Sequence, residues 1–304
     1  MRAASVDLGT NTFRLLVVDY GGECQGICPL HEERRVVRMG EGLAQQGGMV
    51  PQAQERAQEA LKAFRETLET LGVERVVAVA TSVFREAFNA HPFLLRAQEA
   101  LGVPINVISG EEEARLTLKG ALLGLGLFKG ALFDIGGGST EYIRFQDHTP
   151  LKVISTSLGV VKLTETFLFH DPPTQGEMRV LWVQVKKEME EVGERLGKDP
   201  WPLVGTAGTV TTLAAIDMGL SIYQHEKVHG YVLGKVRIEE MLSGFLSLTR
   251  NERLEISGLE EGREDLIIPG TVITLATMEL WNQEVLKVSD LGLREGVLLD
   301  ALGC

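Results

Sequence analysis

Two short segments of the sequence place an aspartate, a glycine turn and hydroxyl or amide side chains in the same order. They are residues 7–12, Asp-Leu-Gly-Thr-Asn-Thr, and residues 134–140, Asp-Ile-Gly-Gly-Gly-Ser-Thr. A glycine turn lets backbone N–H groups approach a phosphate, and an aspartate can hold a hydrated Mg²⁺ ion. One such pair is common in ordinary turns, but two copies in matching surroundings predict a two-sided clamp for a phosphate chain. The predicted metal ligands are Asp7 and Asp134, and the predicted phosphate-binding residues are Gly9, Thr10, Asn11, Gly136, Gly137, Gly138, Ser139 and Thr140.

A third glycine turn, residues 205–209 (Gly-Thr-Ala-Gly-Thr), follows an apolar strand-like run and opens a helix-like segment. The first amides of a helix favour an anion, although an ordinary strand-to-helix turn has the same composition. A nucleotide or an additional phosphate is the ligand predicted for this turn, through Gly205, Thr206, Gly208 and Thr209.

Carboxylates that could activate a water molecule occur in two places. Glu111, Glu112 and Glu113 follow Ser109 at the start of a predicted helix, where acidic side chains also complement the helix dipole. A general base needs only hydrogen-bond reach to its water, so the residues alone do not rank Glu112 against Glu113. Glu141 begins a strand directly after the second turn and is either a site carboxylate or a solvated charge.

Arg85 follows a buried strand-like run, where its guanidinium could grip phosphate oxygens with two parallel hydrogen bonds. The alternative is a surface ion pair with Glu86 or Glu112. Cys24, Cys28 and His31 lack the fourth ligand of a structural zinc site, so zinc is not predicted there.

The elements around the aspartates repeat. Each Asp-Gly turn lies between two strand-like runs, and the second half of the chain restarts this plan at Ala131 after a glycine-rich joint in residues 120–130. We expect a duplicated α/β architecture with a cleft between the copies. The predicted domains are residues 1–123, joined by a C-terminal helix at 293–304, and residues 124–292.

Composition limits the partners. The length of 304 residues fits two domains, and the net charge of −12 argues against non-specific binding of nucleic acid. Neither a secretory leader nor an apolar stretch long enough to span a bilayer is visible, so no membrane partner is predicted. Three cysteines are too few for a disulfide framework, which fits a cytoplasmic location.

The three turns resemble the two phosphate motifs and the adenosine motif of the superfamily of actin, sugar kinases and heat-shock chaperone ATPases. Within it, the chain resembles the exopolyphosphatase and guanosine pentaphosphate phosphohydrolase family. The segments that carry this resemblance follow one another through nearly the whole chain: residues 6–12, 37–43, 80–82, 85–87, 108–114, 134–141 and 292–296.

The resemblance implies two similar actin-like (ribonuclease H-like) domains, each a mixed sheet flanked by helices. It implies Mg²⁺-dependent hydrolysis of terminal phosphoanhydride bonds in inorganic polyphosphate, in guanosine pentaphosphate, or in both. By the family pattern the glutamate before Ala114 is the catalytic base, which is Glu113, and Glu141 is the second catalytic carboxylate.

Two other functions stay open from the sequence. One is a small-molecule kinase of the same superfamily, and the other is a protein that senses polyphosphate or nucleotide without turnover. Paired domains with a hinge often form homodimers, so a homodimer is also expected.

Overall fold

The computed structural model describes residues 1–21 and 24–303, and for residues 24–26 it describes the backbone alone. The chain divides into two compact units, Met1–Gly120 with Leu293–Cys304, and Ala121–Gly292. The sequence had placed the joint after residue 123.

Elements are numbered along the chain. The strands of the described residues are β1 (Arg2–Leu8), β2 (Thr12–Gly21), β3 (Cys24–Val36), β4 (Arg75–Ala80), β5 (Ile105–Val107), β6 (Lys129–Ile135), β7 (Thr140–Gln146), β8 (Thr149–Thr156), β9 (Leu203–Thr206), β10 (Val232–Gly234) and β11 (Val285–Val288). The helices are α1 (Leu43–Gln46), α2 (Pro51–Thr70), α3 (Ser82–Glu86), α4 (Ala90–Leu101), α5 (Gly110–Ala121), α6 (Val160–Phe167), α7 (Gln175–Leu196), α8 (Ala207–Asp217), α9 (His225–Val228), α10 (Lys235–Ser247), α11 (Arg250–Arg253), α12 (Ile267–Leu280) and α13 (Leu293–Leu302).

The first unit contains a five-stranded mixed sheet in the order β3-β2-β1-β4-β5. β2 is antiparallel to β1 and β3, whereas β4 is parallel to β1 and β5. Strand β1 is buried on both faces, because Ala4, Val6 and Leu8 belong to one core cluster and Ala3 to another. The face that carries Ala3 also carries two buried polar residues, Ser5 and Asp7.

The second unit repeats this arrangement with one added edge strand, in the order β10-β11-β9-β6-β7-β8. β6, β7 and β8 form an antiparallel meander, β9 is parallel to β6 and β11, and β10 is antiparallel to β11. Both units are therefore mixed sheets flanked by helices, and the predicted fold class is confirmed.

Helix α12 is buried from Ile267 to Met278 and lies in the core of the second unit. Its first four residues include Pro269 and Gly270, which are residues that usually interrupt a helix. Pro269 is the third residue of the helix, where the backbone N–H that proline lacks has no intrahelical partner. No helix of the described residues combines the length and the apolar composition needed to cross a membrane.

Cys28, in β3, takes part in a disulfide bond, which the sequence analysis did not expect. A sulfur in a disulfide is not the thiolate that binds zinc. The side chains of Cys24 and Cys304 lie outside the described residues.

Two helices of the first unit touch through their backbones. A Cβ atom added to Gly296 of α13 would lie 1.8 Å from the carbonyl oxygen of Leu116 in α5. Beside this contact, Leu116, Leu293 and Val297 pack on Val79 of β4. Only glycine allows the helices to approach so closely, so Gly296 fixes the position of α5 against α13.

We expect Gly296→Ala to destabilise the protein by about 2–3 kcal/mol, because the added methyl group forces α5 and α13 apart. Gly244, inside α10, is the matched control: a Cβ there meets nothing within 4 Å, so Gly244→Ala should be neutral or stabilise by up to about 1 kcal/mol. Urea unfolding followed by circular dichroism measures both. Equal unfolding midpoints for the two variants would contradict the close helix contact.

Candidate phosphate-binding and catalytic residues

The first glycine turn connects β1 to β2 and is held from one side. The backbone N–H groups of Val37 and Arg38 donate to the carbonyl of Asn11 over 3.0 and 2.9 Å. The N–H of Gly40 donates to the carbonyl of Thr10 over 2.9 Å. The segment that follows β3 therefore binds the carbonyl oxygens of this turn and fixes its conformation.

The amides of the same turn remain open. Among the described residues, the backbone N–H groups of Thr10 and Asn11 donate to no acceptor, although Thr10 is only 5% exposed. Amide N–H groups at such a turn form an anion-binding concavity. Gly9 has no room for a side chain, since a Cβ would lie 2.8 Å from the carbonyl oxygen of Thr12.

The second glycine turn, between β6 and β7, is held in the same way. The N–H groups of Val160 and Val161, at the start of α6, donate to the carbonyls of Gly136 and Gly137 over 3.1 and 2.9 Å. As in the first unit, the bonds come from the segment that follows the third strand of the meander. The duplication predicted from the sequence thus extends to the hydrogen bonds that shape each turn.

The second turn also leaves its amides open. The N–H groups of Gly137, Gly138 and Ser139 donate to no acceptor in the part of the chain that the structure describes. Gly159 packs directly on this turn, because a Cβ there would lie 2.2 Å from the carbonyl carbon of Gly138. The sequence analysis did not single out Gly159, since nothing in its neighbourhood marks a contact with residues twenty positions earlier.

Asp7 ends β1 on the sheet face covered by α5. It lies beside Val79 of β4 in the parallel register and opposite Arg14 of β2. Val79 packs on Leu116, so the side of α5 that carries Leu116 faces Asp7's side of the sheet. In the turn that follows β1, the buried side-chain oxygen Oδ1 of Asn11 accepts no hydrogen bond from the described residues.

Asp134 and Glu141 lie directly opposite each other on β6 and β7. Glu141 is 1% exposed, and the hydroxyl of Ser155 donates to its Oε1 over 2.7 Å. Two carboxylates facing each other across a sheet repel unless a donor or a cation lies close to both. Their oxygens are the ligands that Mg²⁺ prefers, so this donor set fits Mg²⁺.

Among the described residues, no three His, Cys, Asp or Glu side chains are grouped so that they could hold a metal ion. A Mg²⁺ ion would therefore rely on one or two carboxylates, with water and substrate oxygens completing its shell. That arrangement is the usual one for Mg²⁺ at phosphate sites.

The third turn lies next to the second, because Thr206 of β9 pairs with Asp134 of β6. Its Gly208 is covered by the guanidinium of Arg263: a Cβ at Gly208 would lie 1.7 Å from Nη1. Arg263 is held in turn by Glu260, whose Oε2 accepts from Nε over 2.7 Å. The N-terminus of α8 thus carries a second positive group beside its own amides.

Two predicted phosphate ligands use their hydroxyl protons inside the fold. Thr140 donates to the carbonyl of Leu158, and Thr206 donates to the carbonyl of Leu291. These hydroxyls can only accept from a ligand, which suits a water molecule better than a phosphate oxygen. The hydroxyl of Thr209 is fixed by packing, since a Cβ on Gly270 would lie 2.3 Å from its Oγ1.

The C-terminal ends of β1, β4 and β5 gather the remaining residues of the first unit. The N–H of Thr81 donates to Leu8 over 3.3 Å, and the N–H of Ile108 donates to Ala80 over 3.1 Å. The first turn, α3 and α5 therefore begin at one edge of the sheet, the usual ligand-binding edge of such sheets.

Arg85 and Glu113 meet at this edge. Nη1 of Arg85 donates to Oε2 of Glu113 over 2.8 Å and to the carbonyl of Ile108 over 2.9 Å. Glu113 is 8% exposed. Of the ion pairs considered from the sequence, neither forms: Glu86 accepts instead from the hydroxyl of Ser82, and Glu112 from Arg115.

Glu112 has a different hydrogen-bond partner from Glu113. Its carboxylate takes two hydrogen bonds from Arg115, over 2.9 and 2.8 Å, and Arg115 also reaches Asp300 of α13 over 3.0 Å. The hydrogen bonds from Arg115 lower the pKa of Glu112 and that of Asp300. The neighbouring glutamates on α5 are thus distinguished by their surroundings, which the sequence alone did not provide.

Comparison with known proteins places the chain. A sequence model of the Ppx/GppA phosphatase family matches residues 14–303. The chain belongs to this family. The family membership makes the protein a hydrolase, as predicted.

Relatives of this Ppx/GppA protein match it along its whole length. Exopolyphosphatase 2 of Mycobacterium tuberculosis is 33% identical, and the match covers 99% of both chains. A family member from Aquifex aeolicus is 34% identical with a TM-score of 0.82, covering 99% of this chain and 97% of that one. An exopolyphosphatase from Cytophaga hutchinsonii is 29% identical with a TM-score of 0.89, covering 100% and 98%.

We expect replacement of Arg115 by methionine to reduce stability at neutral pH, and we expect this reduction to shrink as the pH is lowered from 7 towards 3. Glu112 and Asp300 have lowered pKa values in the fold, so their ion pairs stabilise it above the ordinary carboxylate range. This contribution is lost as the pH falls through the lowered values. Urea midpoints of wild type and Arg115→Met across this range measure it.

The exposed pair Arg65–Glu69 on α2 supplies the control, Arg65→Met, which removes the same charge from an ordinary helix surface. A midpoint difference between Arg115→Met and wild type that stayed constant from pH 7 to pH 3 would contradict the assignment.

Proposed function

We propose that the protein hydrolyses terminal phosphoanhydride bonds of inorganic polyphosphate with Mg²⁺, using Glu113 to orient the attacking water. The observation that carries the proposal is the hydrogen bonding of the two glycine turns. In each, the fold binds the carbonyl oxygens and leaves N–H groups without an acceptor among the described residues. Such donors suit the oxygens of a phosphate and stabilise charge without reorganisation during the reaction.

Glu113 is the better candidate base on α5. It is buried at the edge of the sheet where the first turn begins, whereas Glu112 is bound bidentately by Arg115. Phosphoryl transfer needs mainly positioning and charge stabilisation, so a carboxylate that accepts a hydrogen bond from water is sufficient. Glu141, buried beside Asp134, is proposed as the second carboxylate of the reaction.

Asp7 and Asp134 are the proposed Mg²⁺ ligands, supported by the oxygen donors around them. Oδ1 of Asn11 accompanies Asp7, and Glu141 accompanies Asp134. When bound, Mg²⁺ would neutralise phosphate charge and polarise the phosphoryl group. The protein's net charge of −12 makes such local compensation necessary for a polyanionic substrate.

The third turn favours a phosphate over a nucleoside. The guanidinium of Arg263 occupies the surface of Gly208, where a flat base would otherwise approach the helix start. A guanidinium beside helix amides attracts the oxygens of an anion. Together with relatives named exopolyphosphatase, this supports polyphosphate as the main substrate, and guanosine pentaphosphate stays a prediction from the family resemblance.

Two alternative functions predict different results in an assay of phosphate release. A kinase of the superfamily would consume ATP only with an acceptor present, and a sensor would bind ligand without releasing phosphate. A homodimer and a cytoplasmic location remain predictions from the sequence.

We expect phosphate release from polyphosphates in the presence of Mg²⁺, slower release from guanosine pentaphosphate, and none above background from ATP. Chelation of Mg²⁺ should abolish release, because phosphate charge would lose its main counterion. Malachite green detection of phosphate across chain lengths, with and without EDTA, measures this. Binding without release would favour the sensor, and release that required an acceptor would favour the kinase.

Glu113→Gln should lower kcat by about 10³-fold and leave polyphosphate binding within about threefold, since the amide keeps the shape but activates water poorly. Glu112→Gln is the matched control on the same helix and should stay within about threefold of wild type in kcat. Steady-state kinetics and calorimetric binding separate the two parameters. A kcat close to wild type for Glu113→Gln would remove Glu113 from the base role.

A further inference from the structure

The guanidinium of Arg85 donates its hydrogen bonds to the described residues from one edge. Both bonds that it makes to other residues come from Nη1, one to the carbonyl of Ile108 and one to Glu113. Nε and Nη2 donate to no described residue, and they are absent from the buried polar atoms without a partner. One edge of this planar group is therefore bound to the protein, and the other is open to solvent.

The bound edge is rigid because its acceptors are rigid. Ile108 continues the β4–β5 ladder, since its N–H donates to the carbonyl of Ala80. Glu113 lies in the first turn of α5, where its own N–H donates to the carbonyl of Ser109 over 2.9 Å. A guanidinium held at a fixed carbonyl and a fixed helix cannot rotate without breaking one of these bonds.

We propose that Arg85 is a positioning residue that couples the base to the substrate. Its Nη1 edge holds the Glu113 carboxylate in one orientation, while its Nε–Nη2 edge takes two oxygens of the phosphoryl group. This inference rests on the proposed hydrolysis and extends it: one rigid plane sets the distance between base and phosphorus. Phosphate binding alone was predicted for Arg85 from the sequence, and binding alone would need no contact with Glu113.

Replacing Arg85 by lysine distinguishes the positioning of Glu113 from phosphate binding alone. Its ammonium keeps the charge, but it has no planar fork with which to hold two groups at a fixed separation. Arg85→Lys should therefore retain most of the electrostatic attraction for polyphosphate and lose the alignment of Glu113. We expect KM to change by less than about fivefold and kcat to fall by about 30-fold or more.

The decisive measurement is a double-substitution cycle with Glu113→Gln. If Arg85 acts through Glu113, then adding Arg85→Lys to Glu113→Gln should change kcat by less than about threefold. Multiplying effects would mean that Arg85 acts independently of Glu113 and would overturn the proposal. A loss confined to KM would do the same, because it would identify Arg85 as a phosphate ligand only.

Arg115→Lys is the matched control, since Arg115 pairs with the adjacent Glu112 on the same helix. It should leave kcat and KM within about twofold, and thermal unfolding of each variant checks that the fold is intact.

Binding of inorganic tripolyphosphate can be measured by calorimetry without turnover. The four proteins compared are wild type, Arg85→Lys, Glu113→Gln and the double variant. We expect Arg85→Lys to weaken this binding more in the wild-type background than in Glu113→Gln, where a neutral amide replaces the charged acceptor of Nη1 and holds the guanidinium less firmly. Equal weakening in both backgrounds would overturn the coupling. If wild type released no phosphate at all, the proposed hydrolysis would fail while this binding cycle still decided the role of Arg85.

Discussion

The carbonyl oxygens of both glycine turns are bound by amides from the segment that follows the third strand, and the rest of the site depends on this. A turn held on its carbonyl side cannot relax to satisfy its own N–H groups. Those groups are then left without acceptors among the described residues, at a cost that a bound anion or water recovers. Gly9, Gly136 and Gly159 follow from the same constraint, because each lies where a side chain would strike the tied backbone.

Charge is arranged locally against an unfavourable global balance. The chain carries 42 acidic and 30 basic residues, yet guanidinium groups lie at the two places where phosphate is proposed to bind beside a carboxylate or a helix start. Arg85 and Arg263 are each fixed by an acidic partner within their own unit, Glu113 and Glu260. Fixing a guanidinium lowers the entropy lost when a ligand binds to it.

Much of the architecture could be predicted because strand, acidic turn and strand occur twice with clear apolar patterning. The start of α12 is not evident from the sequence, since proline usually interrupts a helix but Pro269 lies in the first turn of this one. Helix α9 and strand β10 are too short to leave a periodic signal. The partners of Arg85 and Arg263 could not be predicted, because contacts between residues so far apart in sequence depend on how strands and helices pack. The choice of Glu113 over Glu112 came from the family pattern, and their different partners became visible only in the fold.

Gly296 lies in α13, the helix that packs on α5 and follows the second unit in sequence. The helix that carries Glu113 packs on α13, and the whole second unit is inserted between them in sequence. During synthesis, α5 leaves the ribosome early, but the surface on which it rests is translated only after the whole second unit. Every residue assigned to phosphate binding is therefore made before the helix bearing the proposed base has its final support. A chain cut after the second unit would keep both glycine turns but lack the helix on which α5 packs.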